Sequence, residues 1–266
     1  MNQLKTGEFY GTHFRKSVTE NLIITDTEYT HSQVDWHYHE SPYFTYLLQG
    51  KLFESNKRES YYLEPGSLLF HYWQDSHYNI KPPEFTRGFH IELNEEWFTS
   101  FDIEITNFEG SINLKNPVVR NLMNQIFVET KINDPYSNLG IESNLIEIFN
   151  TIKEREEKSL KRPIWVNKLQ ELLIEEKTEY SLKSLSSKLE IHPVHLSREF
   201  KRYFTTSLGN YIRLIKLNKA FYLLISKKMS MTDICYQCGF YDQSHFISNF
   251  KRVYNTTPSK LLKNFD

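Results

Sequence analysis

Apolar residues in the first third of the chain come in short runs separated by turn residues. Residues 44–48 read Phe-Thr-Tyr-Leu-Leu and end at Gln49-Gly50, while residues 61–63 run into Glu64-Pro65-Gly66. Residues 67–70 and 86–93 follow the same style. β-Branched and aromatic residues bounded by Gly and Pro at this spacing are typical of strands. We therefore predict an antiparallel β-sandwich or β-barrel between residues 25 and 93.

The pattern changes to helical periodicity after Pro117. Val118, Leu122 and Ile126 recur at four-residue spacing, and a similar apolar series covers residues 145–152. This spacing places apolar side chains on one face of a helix. A stretch rich in charged residues then ends at Pro163, which indicates a solvated helix end and a linker. Short helices are predicted from residue 164 onward.

These patterns predict an α+β protein with several domains. We expect an N-terminal antiparallel barrel in residues 1–115, a helical linker or dimerisation segment in residues 116–163, and an all-α domain in residues 164–266.

An internal duplication lies in the last part of the chain. The apolar residues Leu185, Leu189 and Ile191 recur 49 residues later as Ile234, Cys238 and Phe240. After one added turn residue, Leu196 and Phe200-Lys201-Arg202 recur 50 residues later as Phe246 and Phe250-Lys251-Arg252. Each copy therefore predicts a short helix, a turn, and a second helix with apolar residues four apart.

A helix-turn-helix has this layout, because its first helix braces the second so that the outer face enters the DNA major groove. Leu196 and Phe200 would face the core. The residues left on the outer faces are the predicted base contacts: Val194, Ser197 and Arg198 in the first copy, and Gln243, Ser244, Ile247 and Ser248 in the second. The predicted phosphate contacts at the helix ends are Lys201, Arg202, Lys251 and Arg252.

Two such units joined by one rigid helix could hold their recognition helices about 34 Å apart, which is one turn of duplex DNA. An ordinary helical bundle with a solvated basic face is the alternative. The duplication with matched core and basic positions favours the paired helix-turn-helix.

The charge of the chain is divided unevenly between its two ends. The net charge is −1, yet residues 181–266 hold 14 Lys and Arg against 5 Asp and Glu. A basic C-terminal region after an acidic N-terminal region suggests that the C-terminal region contacts a polyanion such as DNA. The N-terminus lacks the apolar core of a signal peptide, and no run approaches the roughly 18 apolar residues of a membrane span. We expect a cytoplasmic protein without membrane contact.

The duplicated region resembles the AraC/XylS family. The run Ile-Cys-Tyr-Gln-Cys-Gly-Phe-Tyr-Asp-Gln-Ser-His-Phe at residues 234–246, then Phe250-Lys251 and Thr257-Pro258, is similar to the family motif, as is Leu-Ser-Arg-Glu-Phe-Lys at residues 196–201. The resemblance implies a transcriptional regulator with two helix-turn-helix units. The family commonly has Arg where Ser248 stands, and Ile247 replaces a usual Ser or Thr. The second recognition helix is therefore expected to read thymine methyls or mainly to hold the backbone.

The front segment resembles the small cupin-like barrels that AraC-type regulators commonly carry. The likeness rests on Trp-His-Tyr-His at residues 36–39, Gln49-Gly50, Leu-Glu-Pro-Gly at residues 63–66, and His77. Metal-binding cupins hold an ion with two His at H-x-H, a Glu shortly after, and a distant His. His37, His39 and His77 match three of these ligands, but Tyr43 or Phe44 stands where the Glu belongs.

Strand alternation points His37 and His39 to the same face, so a three-histidine metal site is geometrically possible. The alternative is a set of histidines with hydrogen-bonding roles at the barrel mouth. We favour that alternative and expect neither a bound metal nor another cofactor.

The barrel is rich in aromatic residues, whose flat faces and polar tips suit sugars or planar organic molecules. Aromatics that simply fill the barrel are the alternative. The predicted effector pocket comprises Trp36, His37, Tyr38, His39, Tyr46, Tyr72 and His77.

The leading hypothesis is a regulator without enzymatic activity, in which a small-molecule effector in the barrel shifts the DNA-binding part. The family resemblance implies a homodimer through the front domain, double-stranded DNA as partner, and RNA polymerase as a further partner if the protein activates transcription. Two alternatives stay open. One is a metal-dependent cupin enzyme with a helical appendage, and the other is an adaptor that no longer binds DNA.

Overall fold

The computed structural model describes residues 2–72, 74–159, 162–174, 181–204 and 206–265, with strands in the N-terminal half and helices after it. The strands in these residues are β1 (Asn2–Leu4), β2 (Thr12–Val18), β3 (Leu22–Glu28), β4 (Gln33–His39), β5 (Tyr43–Gln49), β6 (Leu52–Asn56), β7 (Ser60–Leu63), β8 (Leu68–His71), β9 (His77–Ile80), β10 (Arg87–Leu93) and β11 (Ser111–Asn113).

The strands form two sheets. A five-stranded sheet has the order β1-β4-β9-β6-β7, and a six-stranded sheet has the order β11-β8-β5-β10-β3-β2. Neighbouring strands are antiparallel except β1 and β4, which are parallel. The predicted antiparallel N-terminal domain is therefore confirmed, in the form of two sheets. The edge strand β2 was not predicted, because its exposed, charged sequence lacks an apolar face.

Ten helices follow or interrupt the strands within the described residues. They are α1 (Glu95–Ser100), α2 (Pro117–Ile132), α3 (Ser137–Ser159), α4 (Ile164–Ile174), α5 (Leu182–Leu189), α6 (Pro193–Phe204), α7 (Leu208–Ser226), α8 (Met231–Gln237), α9 (Gln243–Tyr254) and α10 (Pro258–Lys263), with a 3₁₀ turn at Ile105–Phe108. In the described part of the chain, no helix is both long enough and apolar enough to cross a membrane.

Helices α2 and α3 cover the outer face of the six-stranded sheet. Phe44 of β5 packs on Phe149 of α3 with ring centroids 5.5 Å apart, and Phe89 of β10 packs on Phe127 of α2 at 5.2 Å. The central strand β5 is consequently buried along almost its whole length. Its even-numbered residues meet helices while its odd-numbered residues face the other sheet, since side chains alternate along a strand.

The same hydrophobic core continues into the second helix-turn-helix. Helix α7 packs on α2 and β5, and Phe221, Phe246 and Phe250 belong to the core that contains Phe44 and Phe89. The first helix-turn-helix has a separate core, formed by α4, α5, α6 and the start of α7 around Leu185 and Phe200. The two units therefore differ in their attachment to the sandwich.

A buried polar network lies at the contact between the sandwich and α7, and we call it the interdomain joint: Tyr46, Asn124, Asn218, Tyr222 and Tyr254. The Tyr46 hydroxyl donates to Asn124 Oδ1 and lies 2.9 Å from the Tyr222 hydroxyl. Asn124 Nδ2 donates to Asn218 Oδ1 at 3.0 Å and to Tyr254 Oη at 3.3 Å. Buried polar groups satisfied by one another in this way define the relative position of the elements that carry them.

Backbone contacts reinforce the joint. Gln49 Nε2 donates to the Ile225 carbonyl at 2.7 Å. In the turn after β7, Gly66 has φ +92°, and a Cβ at this position would lie 2.3 Å from the Tyr222 ring. Both the backbone conformation and the close approach therefore require glycine at position 66.

Candidate nucleic-acid interface and ligand cavity

The first helix-turn-helix consists of α5 and α6. The Ser181 side chain caps α5 by accepting the Ser184 N–H, and Glu190 closes the helix in the left-handed region at φ 57°. Leu196 and Phe200 of α6 are fully buried, as their spacing predicted. The opposite face is open, because Val194 is 67% exposed and the Arg198 side chain is 72% exposed.

The second helix-turn-helix repeats this arrangement in α8 and α9. Asp242 caps α9 by accepting the His245 N–H at 2.7 Å, while Phe246 and Phe250 are fully buried. Gln243, Ser244 and Ser248 lie on the exposed side. Ile247, however, is half-buried and packs against the core, so it presents less surface to a groove than the sequence predicted.

The basic residues predicted to contact phosphates, Lys201, Arg202, Lys251 and Arg252, are all exposed. Their local partners differ between the copies. Glu199 lies 3.3 Å from Arg198 Nε and 3.7 Å from Arg202 Nη1. At the equivalent position of the second copy stands Asn249, whose Oδ1 accepts from Arg252 Nη2 at 2.6 Å. In the first copy the arginines have a carboxylate partner, whereas in the second copy Arg252 has a neutral amide as its hydrogen-bond partner.

A small cavity lies between the two sheets of the sandwich. Its wall includes His37, His39 and His77 of the predicted pocket. The wall also includes residues that the sequence did not single out: Phe9, Tyr10, Tyr29, Glu54, Asn79, Lys81 and His90. Phe9 and Tyr10 come from the segment before β2, where Phe9 stacks on His90 with ring centroids 4.0 Å apart.

Four predicted pocket residues do not line this cavity, so that part of the prediction is corrected. Trp36 lies outside, with its ring 5.0 Å from Tyr78, because side chains alternate along β4 and its neighbour His37 points inward. Tyr38 alternates with two inward histidines and is half-buried on the other face. Tyr46 belongs to the interdomain joint, and Tyr72 is half-buried beyond the end of β8.

The three histidines His37, His39 and His77 converge in the cavity, with one ring nitrogen from each within 4.8 Å of the others. Nδ1 of His37 lies 2.9 Å from the Asp35 carbonyl, and Nδ1 of His77 lies 3.0 Å from the Asp75 carbonyl. Donation to these carbonyls leaves each Nε2 with a lone pair, which is the usual arrangement of metal-binding histidines.

Burial keeps these rings neutral, which suits ligation. It lowers the pKa of His37 to about 4, with the charge of His77 as a second cause, against the opposing hydrogen bond to Asp35. Burial likewise lowers the pKa of His39 and of His77. The donor set therefore fits a divalent transition metal. The Tyr43 hydroxyl lies 3.1 Å from His77 Nε2. It would therefore compete with a metal ion for the lone pair of that nitrogen.

Glu54 is the carboxyl group of the cavity. It is 2% exposed, and burial raises its pKa to about 8 despite a hydrogen bond from Asn79 Nδ2 at 3.0 Å. Its Oε1 lies 3.4 Å from His71 Nε2, and burial lowers the pKa of His71 well below its usual range. The short distance would suit an ion pair, but both shifts favour neutral forms. At neutral pH a protonated carboxyl therefore faces a neutral imidazole at this contact.

The helical region is similar to parts of known transcription factors. A helix-turn-helix domain model matches residues 185–264. A probable transcription factor, PqrA of Proteus vulgaris, is 41% identical over 70 residues, which cover 26% of this chain and 57% of that protein. The transcriptional activator RhaS of Escherichia coli is 35% identical over 71 residues, which cover 27% of this chain and 26% of RhaS. The chain thus spans between a quarter and three fifths of these relatives.

Among solved structures, a ToxT structure from Vibrio cholerae is similar at 14% identity and a TM-score of 0.41, covering 95% of this chain and all of that one. The family model spans α6, α7, α8, α9 and α10 and begins within α5. The C-terminal region is accordingly a DNA-binding domain with two helix-turn-helix units. This region is similar to the helix-turn-helix domains of known transcriptional regulators, in agreement with the motifs of the sequence.

Proposed function

We propose that the protein is a sequence-specific DNA-binding regulator of transcription, which places α6 and α9 in successive major grooves. The observation that carries the proposal is the exposure of both recognition faces. Val194, Ser197 and Arg198 point outward from one unit and Gln243, Ser244 and Ser248 from the other. Outward polar side chains at the start of a braced helix are the groups that read base edges.

We further propose that a small molecule bound between the sheets controls this binding. Strand β5 supports the proposal because it contributes to both places. Tyr43 and Thr45 line the cavity, whereas Tyr46 on the opposite face contacts Tyr222 of α7. A ligand that moved β5 would alter the joint that holds the second helix-turn-helix. Such control requires that the ligand bind one arrangement more tightly than the other.

The experiment is selection of bound sites from random duplex DNA, with and without candidate sugars and aromatic acids. We expect an enriched site whose two parts lie about one helical turn apart, on one face of the duplex. An effector should change the yield of that site without changing its sequence. The proposal is wrong if selection at modest ionic strength enriches no sequence. Light scattering of the same complex reports whether a homodimer binds paired sites.

A metal-binding function is the second candidate, and the convergence of His37, His39 and His77 favours it. A bound ion could serve sensing or cupin-type catalysis. Metal analysis of protein purified without chelators decides the point. Stoichiometric iron, zinc or nickel that is lost in the His77→Ala variant would support a metal site, whereas equal metal content in both proteins would contradict it.

A further inference from the structure

Phe265 lies just beyond α10, and its side chain contacts both the sandwich and α2. The residue is 2% exposed, and its ring centroid lies 5.8 Å from that of Phe127. Within the described residues, three cations face the ring. The guanidinium carbon of Arg87 lies 4.3 Å from the centroid, and the ammonium nitrogens of Lys131 and Lys227 each lie 5.5 Å from it. A cation is attracted to the face of an aromatic ring within about 6 Å. We call Arg87, Phe127, Lys131 and Lys227 the Phe265 socket.

The socket also binds the backbone of Phe265. Its carbonyl oxygen accepts from Arg87 Nη2 at 3.4 Å and from Lys131 Nζ at 3.2 Å. The socket therefore recognises two features of its occupant at once. One is an aromatic ring, and the other is an oxygen acceptor two carbon atoms away from that ring's CH₂ group or nearer.

Asp26 of β3 is the counter-ion of the socket. Its Oδ1 lies 2.6 Å from Arg87 Nε, and its Oδ2 lies 3.0 Å from Lys131 Nζ. Burial would raise the pKa of Asp26, but the hydrogen bonds and charges of Arg87 and Lys131 lower it below its usual value, so the carboxyl is ionised. In the described part of the chain, no other carboxylate pairs with either cation. One negative charge thus faces two buried positive charges, and the ring and carbonyl of Phe265 supply further stabilisation.

We propose that the Phe265 socket is a binding site for an aromatic ring that carries a nearby carboxylate or carbonyl oxygen, and that Phe265 fills it as a latch between the sandwich and the second helix-turn-helix. Helix α10 packs on α7 and α9, so the latch holds the second recognition helix to the sensor. A free aromatic carboxylate has the same two features as Phe265. Its charged oxygens would form stronger hydrogen bonds with Arg87 and Lys131 than an amide carbonyl does.

Strand β10 connects the socket with the cavity between the sheets. Arg87 lies on the face of β10 that contacts Phe265, whereas His90, on the opposite face, lines the cavity and stacks on Phe9. A ligand that moves β10 would therefore change the hold on Phe265. This regulatory role rests on the proposed function, while the chemistry of the socket does not. The latch is a second connection between sensor and DNA-binding helices, separate from the interdomain joint.

The test is chemical rescue of the full-length Phe265→Ala variant, which leaves the socket open. The substitution should lower the melting temperature by about 10 °C. The probe is 3-phenylpropionate, which has the ring and the carboxylate of phenylalanine at the same separation. At ten times its dissociation constant it should raise the melting temperature of the variant by about 4 °C. The wild type should respond less, because its own Phe265 competes at a high effective concentration.

The controls separate recognition from simple filling of a hole. 2-Phenylethylamine has the ring but a cation in place of the carboxylate, and should not stabilise Phe265→Ala. Phe98→Ala opens the same core where the ring contacts only aromatic residues, Trp97 and Phe149, in the described chain, and 3-phenylpropionate should not rescue it. Equal rescue by the amine, or equal rescue of Phe98→Ala, would overturn the proposed site. Should Phe265→Ala not fold, Phe265→Leu keeps an apolar side chain without the ring, and a melting temperature equal to that of the wild type would overturn the role of the cations.

A second measurement tests the latch through DNA affinity for the selected site. Phe265→Ala should bind that site roughly 3- to 10-fold more weakly, because the second helix-turn-helix must then be ordered when it binds. Saturating 3-phenylpropionate should restore the melting temperature but not this affinity, since it fills the socket without attaching α10. Wild-type affinity in the variant would overturn the latch. If the wild type selects no DNA, the regulator proposal fails, and the rescue experiment still decides whether the socket binds an aromatic carboxylate.

Discussion

Replacing Glu54 by Gln tests the assignment of a neutral carboxyl group in the cavity. Glutamine has nearly the shape of glutamic acid, and its Oε1 can still accept from Asn79 Nδ2. Its amide group would face His71 Nε2, which lies 3.4 Å from Oε1 of Glu54. The substitution therefore removes the titration of residue 54 and changes little else.

The sign of the effect follows from the pKa of Glu54, which is 4.5 as the ordinary value and about 8 in the folded protein. Below pH 4.5 the carboxyl is protonated in both states, and its contribution to stability is fully present. Between these values the folded state holds the extra proton, so the free energy of unfolding falls as pH rises and levels off above about 8. At 1.36 kcal/mol per pKa unit, the loss is at most about 5 kcal/mol.

The assay is urea unfolding of the wild type and Glu54→Gln at pH 5, 6.5 and 8.5. The two proteins should differ by less than about 1 kcal/mol at pH 5, with the variant more stable by about 2 to 4 kcal/mol at pH 8.5. Because the buried histidines titrate in both proteins, the difference between them isolates residue 54. Glu64→Gln, at an exposed position, is the control. A difference that does not grow with pH would refute the assignment of a neutral Glu54.

Three further predictions concern DNA reading and the interdomain joint. Arg198→Ala should cost about 1 to 3 kcal/mol on the selected site and relax base preference at one position, and equal weakening on all sequences in a binding-shift assay would contradict a guanine contact. Lys201→Gln should weaken binding to every duplex and flatten the salt slope by about 0.9, so an unchanged slope would exclude a phosphate contact. Asn124→Leu leaves Asn218 Oδ1 without its donor and should lower the free energy of unfolding by about 1 to 3 kcal/mol in urea, whereas unchanged unfolding would show that the joint contributes nothing.

The sequence predicted the elements that have a regular apolar pattern. Strands β5, β7, β8 and β10 and both helix-turn-helix units lie where periodicity placed them. The edge strands β1, β2 and β11 were missed because pairing with a neighbouring strand, rather than a local apolar pattern, makes them part of a sheet. The prediction that His37 and His39 point to the same face is confirmed, since period-two alternation holds over that short run.

The residues that line the cavity could not be fully predicted, because their positions depend on strand pairing that a single sequence does not show. Trp36 was assigned to the pocket because it is aromatic, although alternation with the inward His37 points it to the opposite face. Tyr46 faces away from the cavity because helices cover that side of β5. From the sequence alone, an isolated glutamate such as Glu54 is expected at the surface. Its burial follows from the pairing of β6 with β9, which sets Glu54 opposite Asn79.

The core shared by the sandwich and the second helix-turn-helix limits how the chain can be divided. A cut near Pro163 follows the pattern of the sequence, yet it would leave Phe221, Leu224 and Ile225 facing water, together with the half of the joint on α7. An isolated C-terminal fragment is thus expected to aggregate or to unfold in part. Grafting this DNA-binding domain onto another sensor would succeed only if the new sensor supplied a matching apolar surface and a partner for Asn218. Regulator chimaeras built from this chain should accordingly retain α2 and β5 along with the DNA-binding helices.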